Sequence, residues 1–179
     1  KADEKVLIGK ELTRGLGCGG LPNRGREAAK EAISDIKKAV SGADMVFVIA
    51  GMGGGTGTGA APVIGQVAKE SGAIVIGVVT MPFESERARI DKAEYGLQEL
   101  KEVTDTTIVL DNGRLVDIAG NLPIEQAFAV ANELVSTMIK GIVETITLPS
   151  LINLDYADVS TIMKDGGVSV IGIGESDAS

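Results

Sequence analysis

One stretch of this sequence constrains its fold more than any other. The apolar run Met45–Ala50 (MVFVIA) leads directly into GMGGGTGTG, a helical pattern to about Ser71, and a second apolar run, Ala73–Thr80 (AIVIGVVT). Short unbroken apolar runs bounded by glycine fit strands buried on both faces, as in a parallel sheet. Two of them joined by a helix make a βαβ unit. Glycines at the strand–helix joint let backbone N–H groups approach an anion in conformations closed to other residues. The helix behind them, expected from about Gly59–Ala60, adds unpaired N–H groups and a positive dipole end. Open α/β sheets bind their ligands at the carboxyl ends of strands, where this loop lies. A glycine cluster alone would equally suit a flexible turn.

The alternation continues along the chain. A helix is expected from about Arg24 to Val40, with Ala28, Ala32, Ile33, Ile36 and Val40 on one face. Another runs from Glu86 to Val103 with Ile90, Ala93, Leu97 and Leu100 inward, followed by a strand ending at Asp111. A short helix is expected over 113–119. The longest helical pattern, Ile124–Thr147, carries Ile124, Ala127, Phe128, Ala131, Val135, Met138, Ile142 and Ile146 on its apolar face. Pro149 ends it, a short helix follows from Asp155 to about Lys164, and Val168–Gly174 reads as a last strand. The fold class is α/β, a parallel sheet flanked by helices.

Composition narrows the chemistry. The 179 residues contain no histidine, which removes Ser-His-Asp and Cys-His catalysis, histidine bases and most zinc enzymes. Carboxylates, amides, backbone dipoles, Arg, Lys and a hard metal ion remain, an inventory suited to phosphoryl transfer. A net charge of −8 argues against nucleic acid as a partner. The one cysteine, Cys18, excludes an internal disulfide and suits a reducing cytoplasm. No stretch reaches the roughly 18 apolar residues that span a bilayer, and no direct membrane binding is expected.

Two familiar loops fail against Gly53–Gly59. A P-loop needs Gly-Lys-Ser/Thr, and no lysine follows until Lys69. The dinucleotide fingerprint is half met by Gly55, Gly57 and Ala60. Its ribose-binding acid should end the next strand, where Thr80, Met81 and Pro82 stand instead. A nicotinamide enzyme is disfavoured.

GGGTGTG between a strand and a helix resembles the signature of the tubulin/FtsZ family. Its flanks, ADMVFVIAGMGGGTGTGAAPVIG, are similar to the prokaryotic branch, in an archaeal style, and so are VVTMPF, VLDNGRL and LINLDYADVSTIM. The resemblance covers essentially the whole chain and implies a Rossmann-like GTPase domain. It divides the chain into a nucleotide-binding domain over 1–122, lacking the family's first strand and loop, a long core helix over 123–148, and a catalytic loop with the start of a second domain over 149–179. On that reading the sequence is an internal segment.

The site residues follow from the same resemblance. Gly17, Cys18, Gly19 and Gly20 would lie near the γ-phosphate, although the family often has Ala at Cys18 and Asn at Leu21. Gly53, Gly54, Gly55, Thr56, Gly57, Thr58 and Gly59 would hold phosphates, with hydroxyls from Thr56 and Thr58. The ribose loop would use Glu86 with Arg89 or Arg87, since the family's Glu-to-Arg spacing is one residue longer. Asn112 would lie near the guanine. Phe128 and Asn132, one turn apart on a helix, would stack on the base and meet its edge. Asn153, Asp155 and Asp158 match the family loop that enters the next subunit's site, where its carboxylates orient the attacking water. Asp155 as a helix cap and Asp158 in the first turn would satisfy the same residues without catalysis.

The implied protein binds GTP/GDP with Mg²⁺ held mainly by the phosphates, and polymerises head-to-tail with itself for cell division. It would work in the cytoplasm at the division site, with adaptor proteins as further partners. A regulatory paralogue that binds nucleotide without assembly or turnover is the alternative, and the intact NLDYAD loop argues against it.

Overall fold

The computed structural model describes residues 2–111, 124–147 and 167–168. Its elements run α1 (Pro22–Glu31), α2 (Ile33–Val40), β1 (Met45–Gly51), α3 (Thr56–Glu70), β2 (Ile74–Met81), α4 (Arg87–Val103), β3 (Thr106–Asp111), α5 (Ile124–Thr147) and β4 (Gly167–Val168). The four strands form one sheet in the order β1-β2-β3-β4, every pair parallel. This is the expected α/β fold.

β2 shows why its sequence is apolar throughout. Side chains alternate between faces of a strand. Val75 and Val79 join a cluster with Ala61 and Ala68 of α3 and Ala93 and Leu100 of α4. Ile74, Ile76 and Val78 join the opposite cluster with Ile108 of β3 and Met138 of α5. Helices thus cover both faces, and all six of these β2 and β3 residues are at most 4% exposed. A third layer lies outside α3, where Ala29, Ala32 and Ile36 of α1 and α2 pack on Ala60 and Val67.

Three boundaries differ from the sequence expectation. β1 is not buried on both faces: β2 is its one strand partner among the described residues, and Ile49 is 56% exposed. Met45 and Phe47, on the same face, pack against the cluster beneath α5, which does not reach Ile49. The helix expected from Arg24 to Val40 is two helices. It begins at Pro22, whose fixed φ and missing N–H suit a first helical position. It breaks at Ala32, which has φ −104° and ψ 15° and donates its N–H to the Ala29 carbonyl, a tightened turn. The third difference is α3, which starts at Thr56 rather than near Gly59–Ala60. The expected short helix at 113–119, the helix at 155–164 and the strand beyond Val168 lie outside the described residues. No helix among the described residues is long and apolar enough to cross a membrane.

Candidate functional site

The glycine-rich segment sits at the carboxyl end of β1, and its glycines serve two different purposes. Gly53 alone among Gly53–Gly59 needs the left-handed region, with φ +94°. Gly55, Gly57 and Gly59 are required by contact, whereas a Cβ on Gly54 would meet nothing within 4 Å. A Cβ on Gly57 would lie 2.4 Å from the Gly51 carbonyl oxygen, and one on Gly59 only 1.9 Å from that of Pro22. Helix α3 therefore starts against the end of β1, and α1 crosses it closely. Gly25 completes the crossing, since its Cβ would lie 2.2 Å from the Gly55 carbonyl oxygen.

Close approach explains why the helix begins so early. Threonine and glycine are poor helix formers, so sequence alone pushes the start towards Ala60. Packing overrides propensity here. The N-cap residue is Gly55, and no side chain caps the helix. The orphan N–H groups of the first turn are thus left for an external acceptor.

The two threonines part company. Thr56 is exposed at the first position of α3. Thr58 is fully buried, and its Oγ1 accepts a 2.9 Å hydrogen bond from the Gly53 N–H. Its methyl group and carbonyl face Gly96 of α4, where a Cβ would lie 2.3 Å from Cγ2. Thr58 thus ties the start of the loop to the first turn of the helix. Thr58→Val keeps the shape and leaves the buried Gly53 N–H without its acceptor, at a cost of about 1–3 kcal/mol. Denaturant unfolding should show that loss, and Thr58→Ser should largely restore stability.

The structure brings together three of the segments named from sequence. The backbone at Gly20 and Leu21 lies against Gly55, with Leu21 N 2.8 Å and Gly20 N 3.1 Å from the position of a Gly55 Cβ. Cys18 is buried in the same contact, its Cβ 2.9 Å from that position. Leu21 stands at the N-cap of α1 without a side-chain hydrogen bond, which an apolar residue cannot supply. From the other side Arg89 and Pro82 close on Gly53, with Arg89 Cβ 2.9 Å and Pro82 Cγ 3.4 Å from the position of its Cβ. Glu86 bridges this corner: Oε1 pairs with Arg89 Nη1 at 2.9 Å and Oε2 accepts from the Phe83 N–H at 3.2 Å. Of the two arginines weighed from sequence, Arg89 is the one whose Cβ lies beside the glycine loop, and both side chains are exposed.

Asn132 is exposed on α5, one helical turn before Val135, which packs on the sheet. Phe128 is one turn earlier on the same helix. Asn112, Asn153, Asp155 and Asp158 lie outside the described residues.

Sequence reasoning missed the polar contacts that bind α1 to α4. Arg26 Nη2 donates to Glu99 Oε2 and, at 3.4 Å, to the Tyr95 hydroxyl, which in turn donates to Glu99 Oε1 at 2.7 Å. Glu99 foremost, and then Tyr95, hold the Arg26 guanidinium above its already high value, so it stays charged. Lys92 Nζ donates to the Gly20 carbonyl at 2.8 Å.

A parallel sheet with helices on both faces, and a glycine-rich turn between its first strand and the next helix, defines the class as an α/β domain. Residues 1–120 match the pattern described as "Tubulin/FtsZ family, GTPase domain", and the chain belongs to that family. It is 58% identical to cell division protein FtsZ 2 of Methanocaldococcus jannaschii, over 100% of this chain and 47% of that protein. Among solved structures, an FtsZ point mutant from M. jannaschii superposes with a TM-score of 0.93 at 52% identity, covering 100% of this chain and 54% of its own. An empty FtsZ dimer from the same organism gives a TM-score of 0.88 at 51% identity, covering 94% and 49%. The chain thus spans about half the length of the curated relatives it matches. The archaeal style of its flanks is matched by these relatives.

Proposed function

We propose that the full-length protein carrying this chain is a GTPase that assembles head-to-tail into filaments for cell division. One observation carries the reading. Glycine contacts press the uncapped start of α3 against β1 and the Gly17–Gly20 loop, leaving first-turn N–H groups for phosphate oxygens. Charge on that ligand would be met by backbone dipoles rather than a basic patch, in keeping with a chain of net charge −8.

Family membership supports guanine as the base and hydrolysis as the reaction. Magnesium is expected with the triphosphate. The phosphates themselves would supply most of its ligands. Self-association is supported by the dimer among the similar structures, and the division site by the relatives' printed role. Adaptor proteins would complete the set of partners. Within the site, Glu86 and Arg89 would meet the ribose side, Asn112, Phe128 and Asn132 the base, and Asn153, Asp155 and Asp158 the phosphates of the neighbouring subunit.

Base choice is the direct test of the nucleotide assignment. Exposed Asn132 would be covered by the purine, and its amide would pair with the guanine edge. An amide pair covered by a ligand and then lost costs about 1–3 kcal/mol. Asn132→Leu in the full-length protein is expected to erase much of the preference for GTP over ATP in competitive titration. An unchanged preference would move the base site elsewhere.

A further inference from the structure

The loop before α1 is closed by a turn that has little holding it from within. The Leu21 N–H donates to the Cys18 carbonyl at 3.1 Å, and the two residues between, Gly19 and Gly20, have φ of +60° and +71°. Two consecutive positive values are the pattern of a type I′ turn. Glycine loses more conformational freedom on ordering than any other residue, so a pair of them depends on contacts from outside the turn. One contact is the backbone of Gly55. The other is Lys92, whose ammonium donates to the Gly20 carbonyl.

Lys92 does not act alone. Lys92, Tyr95 and Glu99 recur at spacings of three and four and share one stripe of α4. All three grip the same unit, Lys92 at Gly20 and the other two at Arg26 of α1. Gly96, in the same stripe, lets α4 close onto Thr58 beneath the glycine cradle. Lys92 is the member that bonds the loop itself, and it is half-buried, so its hydrogen bond is partly shielded from water.

We propose that Lys92 is a positioning residue, which holds the Gly17–Gly20 loop in the conformation that receives the terminal phosphate. The proposal rests on the nucleotide site proposed above. Lys92 acts through the Gly20 carbonyl: with the turn pinned, the loop meets the phosphate already ordered, and binding loses less freedom.

The test uses the full-length protein, with Lys92→Met to remove the ammonium and keep an unbranched stem, and Lys92→Arg to keep a donor. Affinities for GTP and guanosine are measured by calorimetry, and exchange of the Leu21 amide by NMR without nucleotide. Lys92→Met is expected to weaken GTP binding about tenfold, ~1.4 kcal/mol. Guanosine affinity should stay at the parental value, and the Leu21 amide should exchange faster. Lys92→Arg should recover most of the GTP affinity. Parental GTP affinity in Lys92→Met, or equal loss of GTP and guanosine, would overturn the positioning role. A parent protein with no GTP affinity would remove the nucleotide site itself, and the proposal with it.

Discussion

Gly57→Val is expected to lower GTP affinity at least about a hundredfold, or ~2.7 kcal/mol, while guanosine affinity changes little. Gly57 is in the first turn of α3, and its Cβ position lies 2.4 Å from the Gly51 carbonyl oxygen at the end of β1. That neighbour is backbone, so it cannot swing aside. A β-branched side chain must push the start of α3 away from the strand, moving the N–H groups that would hold the phosphates. The proposed base contacts reside on other elements, so a nucleoside should bind much as before. Calorimetric titration of the full-length variant with both ligands checks this, with circular dichroism to show that the fold persists. Equal loss of GTP and guanosine would mean that the loop only shapes the domain.

The parts of the fold legible from sequence are those where one residue's environment dictates its type. β2 reads as a buried strand because Val75 and Val79 face α3 and α4, whereas Ile76 and Val78 face α5. α4 reads as a helix because Ala93, Leu97 and Leu100 return to one face of it and pack in one cluster. The break at Ala32 was not legible. Alanine is the best helix former, and the apolar period runs through it unbroken. Ala29, Ala32 and Ile36, on both sides of the break, share one cluster with Ala60 and Val67 of α3.

The same division applies to the site. The glycine-rich turn was legible as the joint between a strand and a helix, and its placement after β1 agrees. The separate work of its glycines was not, because a sequence cannot distinguish a positive φ from a close approach. Thr58 looked like a phosphate hydroxyl, and its hydrogen bond to Gly53 depends on the turn between them. Lys92 is one charge among many on α4 and reads as a solvated residue. Its partner is a backbone carbonyl far away in the chain, and only the fold brings them together.

Asp155→Ala in the full-length protein is expected to leave GTP binding nearly intact and to suppress turnover by more than about a hundredfold, the scale of lost transition-state positioning. The proposed acids follow α5, and α5 follows β3, whose last residue Asp111 pairs with the end of β2 nearest the cradle. Met138 and Ile142, later on α5, pack in the cluster containing Ile74, the first residue of β2. On the proposed reading, α5 leads away from the cradle. Its 24 residues span about 36 Å at 1.5 Å each. On the same reading, the acids that follow α5 in the chain would serve the γ-phosphate of a head-to-tail neighbour rather than their own subunit's. Mixing Asp155→Ala with a variant unable to bind nucleotide should restore part of the activity, because some contacts then carry one intact composite site.

Turnover per subunit, measured against protein concentration at saturating GTP, tests this account most directly. A site completed between subunits predicts a rate that is negligible when dilute and rises with concentration until filaments form. A rate per subunit that is constant across the whole range would put catalysis within one subunit and contradict it.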